Sequence, residues 1–142
     1  MTAKQFGIGA LSSQTGVKIE TIRYYERQGL LPSPPRTAGG HRSFEESHTK
    51  RLTFIRRCRQ LGFSMEEIRD FLALVDGGTY TQREVKALTM RHTDLVREKI
   101  SDLQRMETML VDIASRCDGG SSPDCPIIEA LIDPSVEFPI SN

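Results

Sequence analysis

Residues 8–31, IGALSSQTGVKIETIRYYERQGLL, decide the fold. Two short helical patterns flank a tight break. The first, over 8–14, is closed by Thr15-Gly16, where glycine permits a left-handed cap; after Val17 a second pattern runs over 19–28 and stops at Gly29. Two short helices set steeply across a glycine turn predict a helix-turn-helix, whose second helix can enter a major groove. On that helix Ile22 and Tyr25 fall on one side and are expected to face the core. Lys18, Thr21, Arg23 and Tyr24 are expected to face DNA.

Working outward, LLPSPPR (30–36) is excluded from helix by its prolines, and TAGGHRSF (37–44) follows. Gly39-Gly40 is predicted to be the tip of a two-stranded hairpin, with Arg36 on one arm and His41, Arg42 and Phe44 on the other. A basic hairpin beside a helix-turn-helix is a wing. Its Arg42 is expected to grip phosphate or the narrow minor groove, a contact that positions a protein without reading sequence. Residues 46–75 hold two more predicted helices. Leu52, Ile55 and Cys58 share a face of the first, which makes Cys58 a small buried apolar residue, while Lys50, Arg51, Arg56, Arg57 and Arg59 form a dense basic set. Gly62 ends that helix, and Ser64 with Glu67 reads as a capping box for the next.

Composition agrees with this division. The 142 residues suit about one domain with an appended element, and the formal net charge is zero. The charge is polarised, however: residues 1–60 hold eleven Lys or Arg against four acids, a net +7, and the remainder is −7. A basic N-terminal unit facing an anionic polymer, joined to an acidic remainder with another task, accounts for the split. No apolar run approaches the roughly 20 residues that span a bilayer, and the opening MTAKQFGIGALSSQTG lacks the layout of a secretory signal, so the expectation is a cytoplasmic protein without a membrane role. An odd cysteine count of three without an export signal favours thiol chemistry over a disulfide framework.

From residue 82 to 116 neither proline nor glycine interrupts the chain. Val85, Leu88, Leu95, Val96, Ile100, Leu103, Met106, Leu110 and Ile113 recur at spacings near three and four, leaving one apolar stripe on an otherwise charged helix. Such a helix would be about 50 Å long, too long to bury its stripe on so small a domain. An antiparallel coiled coil with the same helix of a second subunit is the economical partner.

At the end of that helix lies SRCDGGSSPDCPIIEAL, residues 115–131, with Cys117 and Cys125 separated by seven residues. Gly119-Gly120 let the loop fold tightly, Pro123 and Pro126 stiffen it, and Ile127, Ile128 and Leu131 form a short amphipathic turn able to pack back on the dimer. Two thiols so tethered can form a disulfide, act as a redox switch or bind a soft metal. A structural Zn²⁺ site wants about four N or S ligands, whereas His41, His48 and His92 all lie away from the loop in sequence. Two thiolates alone suit a monovalent d¹⁰ ion, Cu(I), Ag(I) or Au(I), because soft sulfur selects soft cations that accept linear coordination.

The run IETIRYYERQGLLPSPPR, the wing GGHRSF and FIRRCRQLGFSMEEI together resemble the DNA-binding domain of the MerR family of transcriptional regulators over about residues 6–75. The resemblance implies a winged helix-turn-helix acting as a homodimer on a palindromic promoter element, with DNA contacts at Arg23, Tyr24, Arg42 and Arg56. His41 stands where the family usually has an aromatic residue. The loop, C-x7-C followed by Pro-Ile-Ile-Glu, is similar to the copper-efflux branch, whose loop cysteines bind Cu(I) or its congeners. In the mercury, zinc, cadmium and lead sensors a further cysteine from the start of the partner's dimer helix completes the site; here that position falls near Thr81-Gln82. The family also implies activation by promoter distortion: ligand binding shifts the dimer, and the promoter DNA is bent and untwisted so that its elements align for RNA polymerase.

The expected architecture is therefore mainly α: a winged helix-turn-helix DNA-binding domain over 1–76, a linker and dimerisation helix over 77–116, and a metal-binding loop with tail over 117–142. The expected DNA-facing set is Lys18, Thr21, Arg23, Tyr24, Arg36, His41, Arg42, Arg56 and Arg57; the expected ligands are Cys117 and Cys125. Two other readings keep the same fold, a divalent-metal sensor and a redox or electrophile sensor, the latter with only Arg116 beside Cys117 to activate a thiol. An enzyme is disfavoured, because no Ser/His/Asp set, phosphate loop or paired-acid motif stands at recognisable spacing.

Overall fold

The computed structural model describes residues 4–120 and 124–138. Six helices occur among them: α1 (Ile8–Thr15), α2 (Ile19–Arg27), α3 (Glu46–Gln60), α4 (Met65–Gly77), α5 (Gln82–Ser115) and α6 (Pro126–Ile132). The chain divides into two compact units, Met1–Leu88 and Thr89–Asn142.

In the first unit, α1 stops where Gly16 takes a left-handed φ of 72° and returns its N–H to the Ser12 carbonyl. The Ser12 hydroxyl donates to the Val17 carbonyl at 2.7 Å and the Thr15 hydroxyl to the Leu11 carbonyl at 2.8 Å, so side chains close the turn that the backbone leaves open. The α2 helix ends similarly: the Leu30 N–H reaches back to the Tyr25 carbonyl at 3.0 Å across Gly29. Side chains define the starts of three later helices. Ser64 and Glu67 exchange backbone bonds at the start of α4 as expected. At α3 the Glu45 N–H donates to Nδ1 of His48 at 3.1 Å, and at α5 Thr81 and Glu84 exchange bonds of 2.7 and 3.2 Å.

The core of this unit gathers Leu11, Ile22, Leu30, Leu31, Phe44, Leu52, Ile55 and Ile68, all nearly inaccessible. Each such side chain contributes about 1.5–3 kcal/mol by leaving water. Ile22 and Tyr25 of α2 and Leu52, Ile55 and Cys58 of α3 are buried, as their spacing requires. Phe63 meets Phe71 edge-on at 5.3 Å, and Val85 and Leu88 pack against the same cluster, which carries this unit into α5.

The wing differs from the expected two-stranded hairpin. Among the described residues there is no strand, only isolated antiparallel bridges pairing Arg36 with Arg42 and Phe6 with Phe44. The physical reason is the arm 30–36, whose prolines remove donors from a ladder and hold it apart from regular pairing. The turn itself forms, with Gly40 at φ 82° and its N–H on the Thr37 carbonyl at 2.9 Å.

In the second unit the rest of α5 carries the apolar stripe. Within one protomer Ile100, Leu103 and Leu110 are 50, 62 and 65 % exposed, whereas Ile113 is buried. Pro126 occupies the first turn of α6, where its missing N–H costs nothing. Pro123, expected to stiffen the loop, and the end of the tail, 139–142, lie outside the described residues.

Candidate nucleic-acid interface and thiol loop

The α2 helix turns Ile22 and Tyr25 inward and leaves Lys18, Arg23 and Tyr24 exposed, with Thr21 half-buried. Lys18 is the N-cap residue and makes no side-chain cap, so the first-turn N–H groups have no side-chain acceptor there. Unsatisfied N–H groups at a helix start favour an anion.

Two cationic concavities flank this helix. The first, about 350 Å³, is lined by Arg23, Arg36, His41 and Arg42 together with Gly7 and Ile8 at the start of α1. Within it the Arg36 Nη1–H donates to the Gly40 carbonyl at 2.8 Å, bracing the wing tip. The Arg42 Nε–H donates to Glu26 Oε2 at 2.9 Å. The second, about 410 Å³, lies at the helix-turn-helix turn and is lined by Lys18, Thr21, Arg56 and Arg59 with Gly16 and Val17. Here the Arg56 Nη1–H donates to the Thr15 carbonyl at 2.6 Å, a cation on the last turn of α1 where helix carbonyls concentrate negative charge.

Seven of the nine expected DNA-facing residues thus line one of two basic concavities. Tyr24 and Arg57 are exposed but line neither. Arg59 joins the second concavity although nothing in the sequence distinguishes it from its basic neighbours; its Nη1–H also holds the Phe63 carbonyl at 3.0 Å. Glu26 lies outside the expected set. The available signal is its charge: a carboxylate in the last turn of a basic helix opposes the helix dipole, so it has to be stabilised by something else.

The three cysteines divide by environment. Cys58 is buried among the core apolar residues, and burial pushes its thiol above the ordinary value, which leaves it protonated and unreactive. Cys117 is exposed just past α5, its N–H on the Ala114 carbonyl at 3.1 Å, and Cys125 is half-buried as the N-cap residue of α6. Neither is in a disulfide. Among the described residues no group of three or more His, Cys, Asp or Glu is gathered that could hold a metal ion. The loop's soft donors are the two sulfurs; Asp118 and Asp124 between them offer only hard carboxylate oxygens. Among the described residues no helix is long and apolar enough to cross a membrane.

Two family models match the chain, "MerR HTH family regulatory protein" over residues 6–74 and "MerR, DNA binding" over 49–113. The mercuric resistance operon regulatory protein of Bacillus cereus is 42 % identical over 129 residues, covering 90 % of this chain and 98 % of that protein. The HTH-type transcriptional regulator CueR of Yersinia pestis is 36 % identical over 124 residues, covering 87 % of this chain and 89 % of its own. Among solved structures, the transcription regulator PbrR691 of Ralstonia metallidurans CH34 in complex with lead(II) aligns with a TM-score of 0.78 at 39 % identity, over 89 % of this chain and 98 % of that one. With the glycine-broken helix pair, the basic wing and the long exposed helix already in place, these matches put the chain in the MerR family of helix-turn-helix transcriptional regulators.

Proposed function

We propose that the protein is a metal-responsive transcriptional regulator that binds a palindromic promoter element as a homodimer and senses a soft thiophilic ion through Cys117 and Cys125. The observation that carries the sensing role is the donor set: two unlinked thiols bracket one short loop between α5 and α6. Residues 1–76 are the DNA-binding part, 77–116 the linker and dimerisation helix, and 117–142 the sensing loop and tail. Of the expected seam residues, Val96, Ile100, Leu103, Met106 and Leu110 form the dimer seam as an antiparallel coiled coil, whereas Val85 and Leu88 pack on the core of their own unit and Ile113 is buried within the protomer.

A monovalent soft ion, Cu(I), Ag(I) or Au(I), is the ligand that two thiolates satisfy without further donors. Cys117 and Cys125 would hold such an ion through their sulfurs, and the ion would supply a soft cation able to tie the end of α5 to the start of α6. Cys117 contributes one thiolate from just past the end of a long helix, and Cys125 the other from the N-cap of a short one. Metal occupancy then favours one of two dimer arrangements, and the free-energy difference between them is what reaches the promoter and RNA polymerase.

A second reading, a divalent sensor, is favoured by the likeness to a mercury-resistance regulator and to a lead-bound one. The family resemblance implies a third cysteine, from the partner's helix start, in such sensors. At the start of α5 Thr81 and Gln82 offer no thiol, and the Thr81 hydroxyl is engaged in capping with Glu84. The chain therefore fits the monovalent reading better.

Cys117→Ser and Cys125→Ser test the proposal. Each is expected to keep operator binding and to abolish metal-dependent transcription from the bound promoter; a full metal response in either variant would remove the loop from the sensing role.

A further inference from the structure

Glu26 presents a carboxylate on a surface that meets a polyanion. Its side chain is only 11 % exposed, and it sits in the last turn of α2, where the helix dipole disfavours negative charge. Three bonds hold it there. Arg42 Nε–H donates to both carboxylate oxygens, at 2.9 and 3.2 Å, and the Ser33 hydroxyl donates to Oε1 at 3.2 Å.

The wing that carries Arg42 has few other bonds to hold its angle. Thr37 N–H on the His41 carbonyl, Ser43 N–H on the Pro35 carbonyl and the Arg36–Arg42 bridge are all internal to the wing, and the Phe6–Phe44 pair ties its far arm to the segment before α1. Glu26 joins the wing to α2, the helix expected to enter the major groove, through two side chains, Arg42 and, from the 30–36 arm, Ser33. Its bonds with Arg42 use only Nε of the guanidinium. Among the described residues the two Nη groups of Arg42 have no protein acceptor, and Arg42 lines the same concavity as Arg23, Arg36 and His41.

We propose that Glu26 is a positioning residue for DNA: by holding Arg42 through Nε it sets the two Nη groups to receive a backbone phosphate and fixes the wing angle relative to the recognition helix. This rests on the DNA-binding reading above. A planar guanidinium suits the task, since one edge can be anchored while the other donates a pair of parallel bonds to phosphate.

Charge alone predicts the opposite sign. Removing a negative charge per subunit from a DNA-facing surface should tighten binding, since it adds one to the net positive charge. If Glu26 positions Arg42, Glu26→Gln weakens binding instead. The probe is a duplex selected from a random-sequence pool by the wild-type protein, titrated with the full-length chain at several salt concentrations.

Expected for Glu26→Gln is a loss of about tenfold in affinity per half-site, the scale of one well-made charged interaction, and so about a hundredfold for the dimer. Its salt slope should be shallower by about 0.9 for each phosphate no longer neutralised, about 1.8 for a dimer with one such phosphate per half-site. Arg42→Ala should show the same loss, and adding Glu26→Gln to it should change affinity less than about twofold, because the carboxylate then has nothing to position. Binding by Glu26→Gln as tight as wild type with an unchanged slope overturns the inference. So does an equal loss in the Arg42→Ala background, which would mark Glu26 as merely structural. Failure of the wild-type protein to select any duplex would instead overturn the DNA-binding reading itself.

Discussion

The Arg56 guanidinium lies directly over Gly16: a β-carbon at residue 16 would stand 2.8 Å from Nη1 and 3.2 Å from Cζ. The same nitrogen bonds the Thr15 carbonyl, so α3 clamps the turn that sets α1 against α2. Gly16 also holds a φ of 72°. Two independent demands, left-handed backbone and close approach, therefore meet at one residue.

Gly16→Ala should destabilise the first unit by about 1–2 kcal/mol from backbone strain alone. Its β-carbon would also push the Arg56 side chain off the Thr15 carbonyl, and DNA affinity should fall with it. Denaturant unfolding of the full chain measures the first effect and duplex titration the second; an unchanged unfolding midpoint would show that the turn has relaxed without cost.

Ser64→Ala removes the acceptor for the Glu67 N–H, which the hydroxyl meets at 3.1 Å. Loss of the cap should cost about 1 kcal/mol, visible as a lower urea midpoint with unchanged m-value. DNA affinity should stay near wild type, because Ser64 lines neither basic concavity.

Helix placement is legible in the sequence wherever local chemistry sets it. Gly16 and Gly29 end helices, Ser64 starts one, and the apolar spacing of Leu52, Ile55 and Cys58 marks a buried face. Side-chain pairing over distance is not legible in the same way. Arg42 and Glu26 are sixteen positions apart and Arg56 and Thr15 forty-one, and no periodicity announces such pairs. In the wing, two glycines and flanking basic residues suggest a regular hairpin, but the prolines beside them decide the backbone. The cap of α3 is also hidden, because His48 is an unusual N3 partner, whereas Thr81 and Glu84 stand at ordinary capping-box spacing just before the apolar stripe of α5 and are legible.

Asp76 gives a pH prediction. The side-chain hydrogen bond from Arg51, at 2.6 Å, is the main cause that holds its carboxyl below the ordinary value of 3.8. Folding lowers this pKa, so the pair's contribution is complete above that ordinary value and is lost as pH falls through the lower folded one. Because the Asp76 side chain is 55 % exposed, the contribution is at most about 1 kcal/mol. Asp76→Asn should lower stability slightly at neutral pH and converge with wild type in acid; a constant gap from neutral to strongly acidic pH would contradict the assignment.

Leu103 tests the dimer seam. It is 62 % exposed in the protomer, and burying a leucine contributes about 1.5–3 kcal/mol, twice over at a two-fold interface. Leu103→Glu should therefore weaken the dimer by at least about a hundredfold, the equivalent of roughly 3 kcal/mol. Sedimentation equilibrium should find monomer at concentrations where wild type is dimeric; a persistent dimer would place the interface elsewhere.

Metal sensing by the loop is tested most directly by an anaerobic titration of the reduced dimer with Cu(I) against a competing chelator, repeated with Hg²⁺ and Pb²⁺ and with the Cys117→Ser and Cys125→Ser variants. One tightly held Cu(I) per Cys117–Cys125 pair is expected, with that binding abolished in both variants. Divalent binding as tight as Cu(I), or Cu(I) binding that survives either substitution, would contradict a two-thiolate monovalent sensor.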